Sequence, residues 1–138
     1  MILAAALALP LMMQASPSAA PSPLGLWRTH VNDGLIRIEQ CGDELCGHVA
    51  GSAELKEKPD QADVLNHDPS LRGRLVMGLL ILKLKPLAPG RWGDGWIYDP
   101  RRGATYTARI RMAPDGQLRL TGCVASFLCQ TQTWTRAG

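Results

Sequence analysis

The sequence predicts an all-β fold, one small antiparallel meander barrel of about eight strands pinned by local disulfides. Three observations predict it. Beyond Pro23 the chain is a succession of short β-like runs punctuated by Gly, Pro and Asp. Those runs pair into hairpins whose apolar faces agree across the turn, and register is what holds such a pattern together. The four cysteines fall in two close pairs, Cys41 with Cys46 and Cys123 with Cys129.

The first element is not part of the barrel. Residues 1–20 carry no charged side chain, and Met1 to Met13 is an apolar run of Ala, Leu and Met with one isoleucine and a single proline. Small residues follow from Ala15 to Ala20. This is the pattern of a secretory signal peptide, with cleavage expected between Ala15 and Ala20. No Lys or Arg precedes the apolar run, and Pro21 follows the last alanine, so both flanks are irregular. The run is shorter than the ~20 apolar residues that span a bilayer. No cysteine lies near it for lipid attachment. The expected organisation is therefore a signal peptide over 1–20 and a single β-barrel domain over 21–138, periplasmic or secreted.

The strands follow in order: Leu24–Val31, Leu35–Cys41, Leu45–Gly51, Leu75–Leu84, Gly95–Asp99, Ala104–Met112, Gln117–Val124 and Gln130–Arg136. Between the third and fourth, Ser52–Arg74 is polar and reads as a loop with room for one helical turn. In the apolar run after it, Gly78 signals a bulge or a close backbone approach. Three hairpins fix registers. A three-residue Pro114-Asp115-Gly116 loop pairs Ile110 with Leu120 and Met112 with Leu118, with the glycine left-handed. Placing Cys123 opposite Cys129 brings Leu118 to Trp134 inside and Thr121 to Thr131 outside. Placing Cys41 opposite Cys46 brings Ile38 to Val49 inside and Glu39 to His48 outside. Directly opposed antiparallel residues lie close enough for a disulfide, which favours the two local pairs over the other connectivities. Four cysteines in a small exported chain read as disulfides. Zinc would need tighter cysteine spacing or nearby histidines, and His30, His48 and His67 offer neither, so no metal or other cofactor is expected.

These registers carry polar groups inward. Gln130 and Gln132 share the inner face of Trp134, Tyr106 shares that of Ala108 and Ile110, and Gln40 that of Ile38. The pair Ala108–Gly122 leaves space beside them. A buried amide without a partner costs about 1–3 kcal/mol, so these positions line water, a ligand or one another, or sit at an open end of the barrel.

The densest polar cluster is Asn66, Asp68, Arg72 and Arg74. Its arginines either bind an acidic head group at the barrel mouth or brace the loop against the sheet. Trp92 and Trp96 either stack on a ligand or pack at a strand edge. Asp60, Asp63, Asn66 and Asp68 lack the alternating spacing of a calcium loop and suit an Asx turn into Pro69. Ser52, Ser70 and Ser126 sit in no nucleophile motif, and the adjacent His67 and Asp68 are poorly placed to form a dyad. A net charge of +3, without a recognition helix or an aromatic–basic repeat, gives no case for nucleic acid.

With these residues in view, the chain resembles the bacterial exported domain-of-unknown-function family 2147, from Gly25-Leu26-Trp27 to Gln132-Thr133-Trp134-Thr135-Arg136. The resemblance is carried by Ile38–Cys41 with Leu45-Cys46-Gly47, and by Asn66, Asp68-Pro69, Leu71-Arg72 and Arg74. It continues through Gly78, Ile81-Leu82, Trp92, Gly95, Ile97-Tyr98, Pro100, Gly103 and Tyr106. The family pattern has Pro after the second arginine, where this chain has Leu75. The resemblance implies an envelope location and a small calycin-like, lipocalin-like barrel, and it implies no activity. Two functions stand open. One is a non-enzymatic envelope protein holding a small amphipathic ligand, with Arg72, Arg74, Tyr106, Gln130, Gln132 and Trp134 as the binding residues. The other is a structural or protein-interaction accessory with a filled core, its protein partner unspecified. A cavity in the barrel separates them.

Overall fold

The computed structural model describes residues 2–12 and 21–138. The expected cleavage region, Ala15–Ala20, lies outside the described residues. Residues 2–12 are exposed along their whole length and form no regular element. No helix among the described residues is long and apolar enough to cross a membrane.

Eight strands close into a barrel in chain order: β1 (Gly25–Arg28), β2 (Leu35–Cys41), β3 (Glu44–Gly51), β4 (Leu80–Ala88), β5 (Arg91–Asp99), β6 (Ala104–Met112), β7 (Leu118–Ala125) and β8 (Leu128–Arg136). Each is antiparallel to the next, and β1 returns to β8. That last seam is short, with only Trp27↔Arg136 and Arg28↔Thr135 paired. A five-residue helix α1 (Ala53–Glu57), capped by Ser52, and a 3₁₀ turn at Pro69–Leu71 lie between β3 and β4.

Both disulfides form as expected, Cys41–Cys46 and Cys123–Cys129. The β6–β7 and β7–β8 registers match residue for residue, with Ile110↔Leu120, Leu118↔Trp134 and Cys123↔Cys129 opposed, and Gly116 is left-handed with φ +82°. The first hairpin is slipped by two residues. Cys41 faces Glu44, so Ile38 faces Gly47 and Ile36 faces Val49. The cause is a two-residue turn with Gly42 at φ +66° in its first central position, the place a type II′ turn reserves for glycine. Cys41 and Cys46 are therefore diagonal neighbours, still 5.9 Å apart at Cα, and an even slip leaves Ile36 and Ile38 inward. Gln40, expected on the same face, is exposed at the strand end, where its amide donates to the Gly42 carbonyl at 3.0 Å.

Strand β4 also starts later than expected. Leu75 bridges Ala62, and the Val76 amide bonds Gln61 at 3.0 Å, so this part of the apolar run pairs with the loop. Gly78 then turns the chain with φ +80°. No atom lies within 4 Å of where its Cβ would be, so the left-handed turn, not a close approach, calls for glycine here. Beyond Leu84, β4 continues through Pro86 to pair with an earlier-starting β5, across a turn at Pro89 and Gly90. The pairing is irregular around Pro86, as a residue without an N–H dictates.

In an eight-stranded meander the odd-to-even connections share one end and the even-to-odd turns share the other. The even-to-odd end is solid. Trp27, Ile38, Leu45, Leu82, Leu84 and Leu118 are all at most 1% exposed, each burial worth about 1.5–3 kcal/mol. Arg136 seals this end. Its guanidinium stacks 4.2 Å from the Trp27 ring centroid and donates to the Leu24 and Ser22 carbonyls at 2.8 and 2.7 Å. The Trp27 indole donates to Pro23 O at 2.7 Å.

Candidate ligand-binding cavity

The odd-to-even end is hollow. A cavity of about 780 Å³ opens among the connections β1–β2, β3–β4, β5–β6 and β7–β8, a size in the range of small-molecule sites. Side-chain size along two neighbouring strands explains it. Inward positions of β7 run Leu118, Leu120, Gly122 from the solid end upward, and their β8 partners run Trp134, Gln132, Gln130. Bulk falls and polarity rises together.

The walls include Ile36, Val49, Ile81, Ile97 and Leu120, with Trp134 among the lining residues. Tyr106, Gln130 and Gln132 add hydrogen-bonding groups to this apolar surface. Gln132 is partly committed, because its Oε1 accepts from the Trp134 indole at 3.2 Å. Among the described residues no hydrogen bond reaches the Gln130 amide, and it faces the cavity across from Gly122. Thr29, Val31 and Asn32 of the β1–β2 loop close one side of the mouth. That loop holds His30, Asn32 and Asp33 at φ 63°, 52° and 50°, the residue types that tolerate the left-handed region best. It is anchored by the Asn32 carbonyl, which accepts from Ala53 N at 3.0 Å.

Four of the six residues expected at a site thus line one cavity: Tyr106, Gln130, Gln132 and Trp134. Arg72 and Arg74 do not. Arg74 Nε donates to Asp63 Oδ2 at 3.0 Å, and Arg72 Nε donates to the Asn66 carbonyl at 2.8 Å. Asp63 is buried on the outer side of β5, where the Tyr98 hydroxyl donates to Oδ1 at 2.6 Å and the Asn66 amide to Oδ2 at 2.9 Å. The arginines brace the β3–β4 loop against the barrel wall, and Arg74 borders only a shallow outer groove with Trp96 and Tyr98. Burial pushes the Asp63 carboxyl up, but the bonds from Asn66, Tyr98 and Arg74 outweigh it and hold the carboxyl below its ordinary value. The Tyr98 phenol, desolvated and beside that carboxylate, is pushed up to about 12. Trp92 and Trp96 pack against the core from partly buried positions and are absent from the cavity lining.

The basic groups at the mouth are Arg101 and Arg102, in the β5–β6 turn. Arg101 Nη2 lies 3.2 Å from Asp99 Oδ2 and Arg102 Nε lies 4.0 Å from the same oxygen. Gly103 follows at φ +65°, pressed against the Leu65 carbonyl, where a Cβ would collide. Topology could have found these arginines, since this turn and the β7–β8 tip must share an end. The remaining polar residues hold backbone. Asp68 caps the 3₁₀ turn by accepting from the Ser70 amide at 3.0 Å, and Asn66 Oδ1 accepts from Asp68 N at 2.8 Å, the expected Asx turn into Pro69. Ser52 caps α1. Among the described residues no cluster of His, Cys, Asp and Glu is arranged to hold a metal ion.

A search of curated proteins returns no match. Among solved structures the chain is similar to protein HP1028 from the human pathogen Helicobacter pylori, described as belonging to the lipocalin family. The TM-score is 0.75 at 20% identity, over 88% of this chain and 85% of that one, a likeness of fold. The profile of DUF2147, described as uncharacterized protein conserved in bacteria, matches residues 25–136, and the chain belongs to that family.

Proposed function

We propose that the protein is an exported, non-enzymatic barrel that binds a small, partly apolar ligand with a hydrogen-bonding head. The observation that carries this reading is the cavity of about 780 Å³, apolar in its walls and set with Tyr106, Gln130 and Gln132. Mostly apolar pockets with a few placed polar groups are what small-molecule sites look like. The other function open from the sequence, a filled barrel working only through its surface, needs an interior packed from end to end. Export is supported by the uncharged apolar start and by two disulfides that suit an oxidising compartment. A binding role without catalysis is supported by the employment of Ser52 and Asp68 as backbone caps, with the Ser70 hydroxyl donating to the Asp68 carboxylate at 2.7 Å.

Native mass spectrometry of protein recovered from its own envelope tests the ligand. A retained small amphipathic molecule is expected, displaced by an added fatty-acid-like probe. Protein that carries nothing and takes up no such probe ends the reading. Amino-terminal sequencing of the same material should find the chain starting between residues 16 and 21, and Met1 retained in a cytosolic pool would overturn export.

A further inference from the structure

The mouth of the cavity carries an arc of apolar side chains that the ligand reading does not use. Phe127, at the tip of the β7–β8 hairpin, is 81% exposed, and its neighbours Val124 and Leu128 are 74% and 57% exposed. The β3–β4 loop contributes Val64 and Leu65, both exposed. The β5–β6 turn joins these two groups, since His67 N bonds Gly103 O at 3.1 Å and Thr107 of β6 faces Cys123 of β7. That turn holds Arg101 and Arg102 over a single carboxylate, Asp99. Within this turn two guanidinium groups against one carboxylate leave one local positive charge beside the apolar arc, while Glu54 of α1 is the other carboxylate that lines the mouth. The Cys123–Cys129 disulfide spans the base of the tip, so exposing Phe127 costs little further ordering.

We propose that this rim docks the open end of the barrel onto an anionic lipid surface. A contiguous apolar patch rimmed by polar groups marks an interaction site. Shallow insertion of Phe and Leu beside basic side chains is how proteins seat in the headgroup region. The shape favours lipid over a protein partner, because the apolar groups protrude from a hairpin tip and a loop corner around a hole and form no flat face to pack. Docking in this way presents the cavity mouth to the bilayer, though it does not depend on the cavity being occupied.

Vesicle flotation tests it with the 21–138 segment. Residues 2–12 are exposed throughout, and every core side chain lies beyond Pro23, so that segment holds the whole barrel. The segment is expected to float with phosphatidylcholine vesicles that contain phosphatidylglycerol. Val124→Ser with Phe127→Ser should cut the partition coefficient about tenfold or more, from the apolar area withdrawn. Arg102→Gln, which leaves the Asp99–Arg101 pair in place, should cut it about fivefold at low salt and scarcely at all at high salt. Leu87→Ser, an exposed leucine at the solid end, should change nothing. The proposal is overturned if the segment does not float, if the Val124/Phe127 variant floats as well as the parent, or if sedimentation shows the tip pairing with a second copy.

Discussion

The two ends of this barrel are made by the same strands and do opposite things. At one end Trp27, Leu118 and Trp134 fill the interior and Arg136 lids it; at the other, Gly122, Gln130 and Tyr106 leave it hollow. The change happens within four residues of β7 and of β8, with no change in backbone pairing. Close packing and open cavity are thereby separated along the strand axis. The solid half contributes the burial that closes the barrel, so the hollow half is free to carry polar groups that no core would tolerate.

The largest effect that sharpens this contrast is expected from Trp134→Ala. Trp134 is 2% exposed, and truncating such a residue costs about 3–5 kcal/mol. Val124→Ala, at the rim, should fall within about 0.5 kcal/mol of zero. Denaturant unfolding reads both, and equal losses at the two ends would break the comparison.

The hollow end has its own anchor, the Asp63 network. Asp63→Ala strands the Tyr98 hydroxyl and the Asn66 amide, at about 1–3 kcal/mol for each buried polar group left unpaired. About 2–6 kcal/mol is therefore expected, with the β3–β4 loop losing hydrogen-exchange protection before the barrel does. The network also sets a pH window. Asp63 titrates below its ordinary value, so its contribution is present above about pH 4 and is lost as pH falls through the folded value. Tyr98 is raised from 10.0 to about 12, so its contribution is present below about pH 10 and is lost as pH rises toward 12. Tyr98→Phe should abolish its share of the alkaline decline in unfolding midpoint while leaving the decline from other groups.

One disulfide serves each end. Replacing Cys41 and Cys46 by Ser, or Cys123 and Cys129, removes a short loop worth about 2 kcal/mol by chain entropy. The stability losses should be similar, but only the second pair shapes the mouth, where Cys129 lines the cavity. Probe uptake measured on both variants decides this. A loss of uptake in the Cys41/Cys46 variant would mean that the ends are coupled.

How much of this was legible depends on what each inference used. Parity along strands found Tyr106, Gln130, Gln132 and Trp134, because facing inward is a property of sequence alternation alone. It also survived the mistaken first hairpin, since a slip of two residues preserves every face. What parity cannot see is which loop folds where. Arg72 and Arg74 lie in a connection at the hollow end, yet Asp63 draws Arg74 onto the outer wall of β5 and the Asn66 carbonyl holds Arg72. A lone aspartate in a polar loop looks solvated until its partner tyrosine, thirty-five residues away, is known. Arg101 and Arg102 were missed for the converse reason. A short turn between strands reads as surface, and only the shared end of the meander places it at the mouth.

The smallest expected effect bears most on function. Gln130 and Gln132 occupy neighbouring inward positions, but they are not equivalent. Gln132→Leu removes the acceptor of the Trp134 indole, leaving that N–H unpaired beside a buried ring, and should cost about 1 kcal/mol. Gln130→Leu breaks no bond within the protein and replaces an amide with an apolar side chain of similar bulk, so stability should stay within about 0.5 kcal/mol. If the amide of Gln130 meets a ligand's polar head, the same change should shift uptake from amphipathic probes with hydrogen-bonding heads toward their methyl-capped analogues. The shift is expected to be about fivefold to tenfold, the worth of one hydrogen bond. Competition between the two probes on the parent and on both variants reads it directly. If Gln132→Leu alone changes selectivity, the head group sits deeper, against Trp134. If neither does, the polar groups of the hollow end hold water and the ligand is recognised by its apolar body alone.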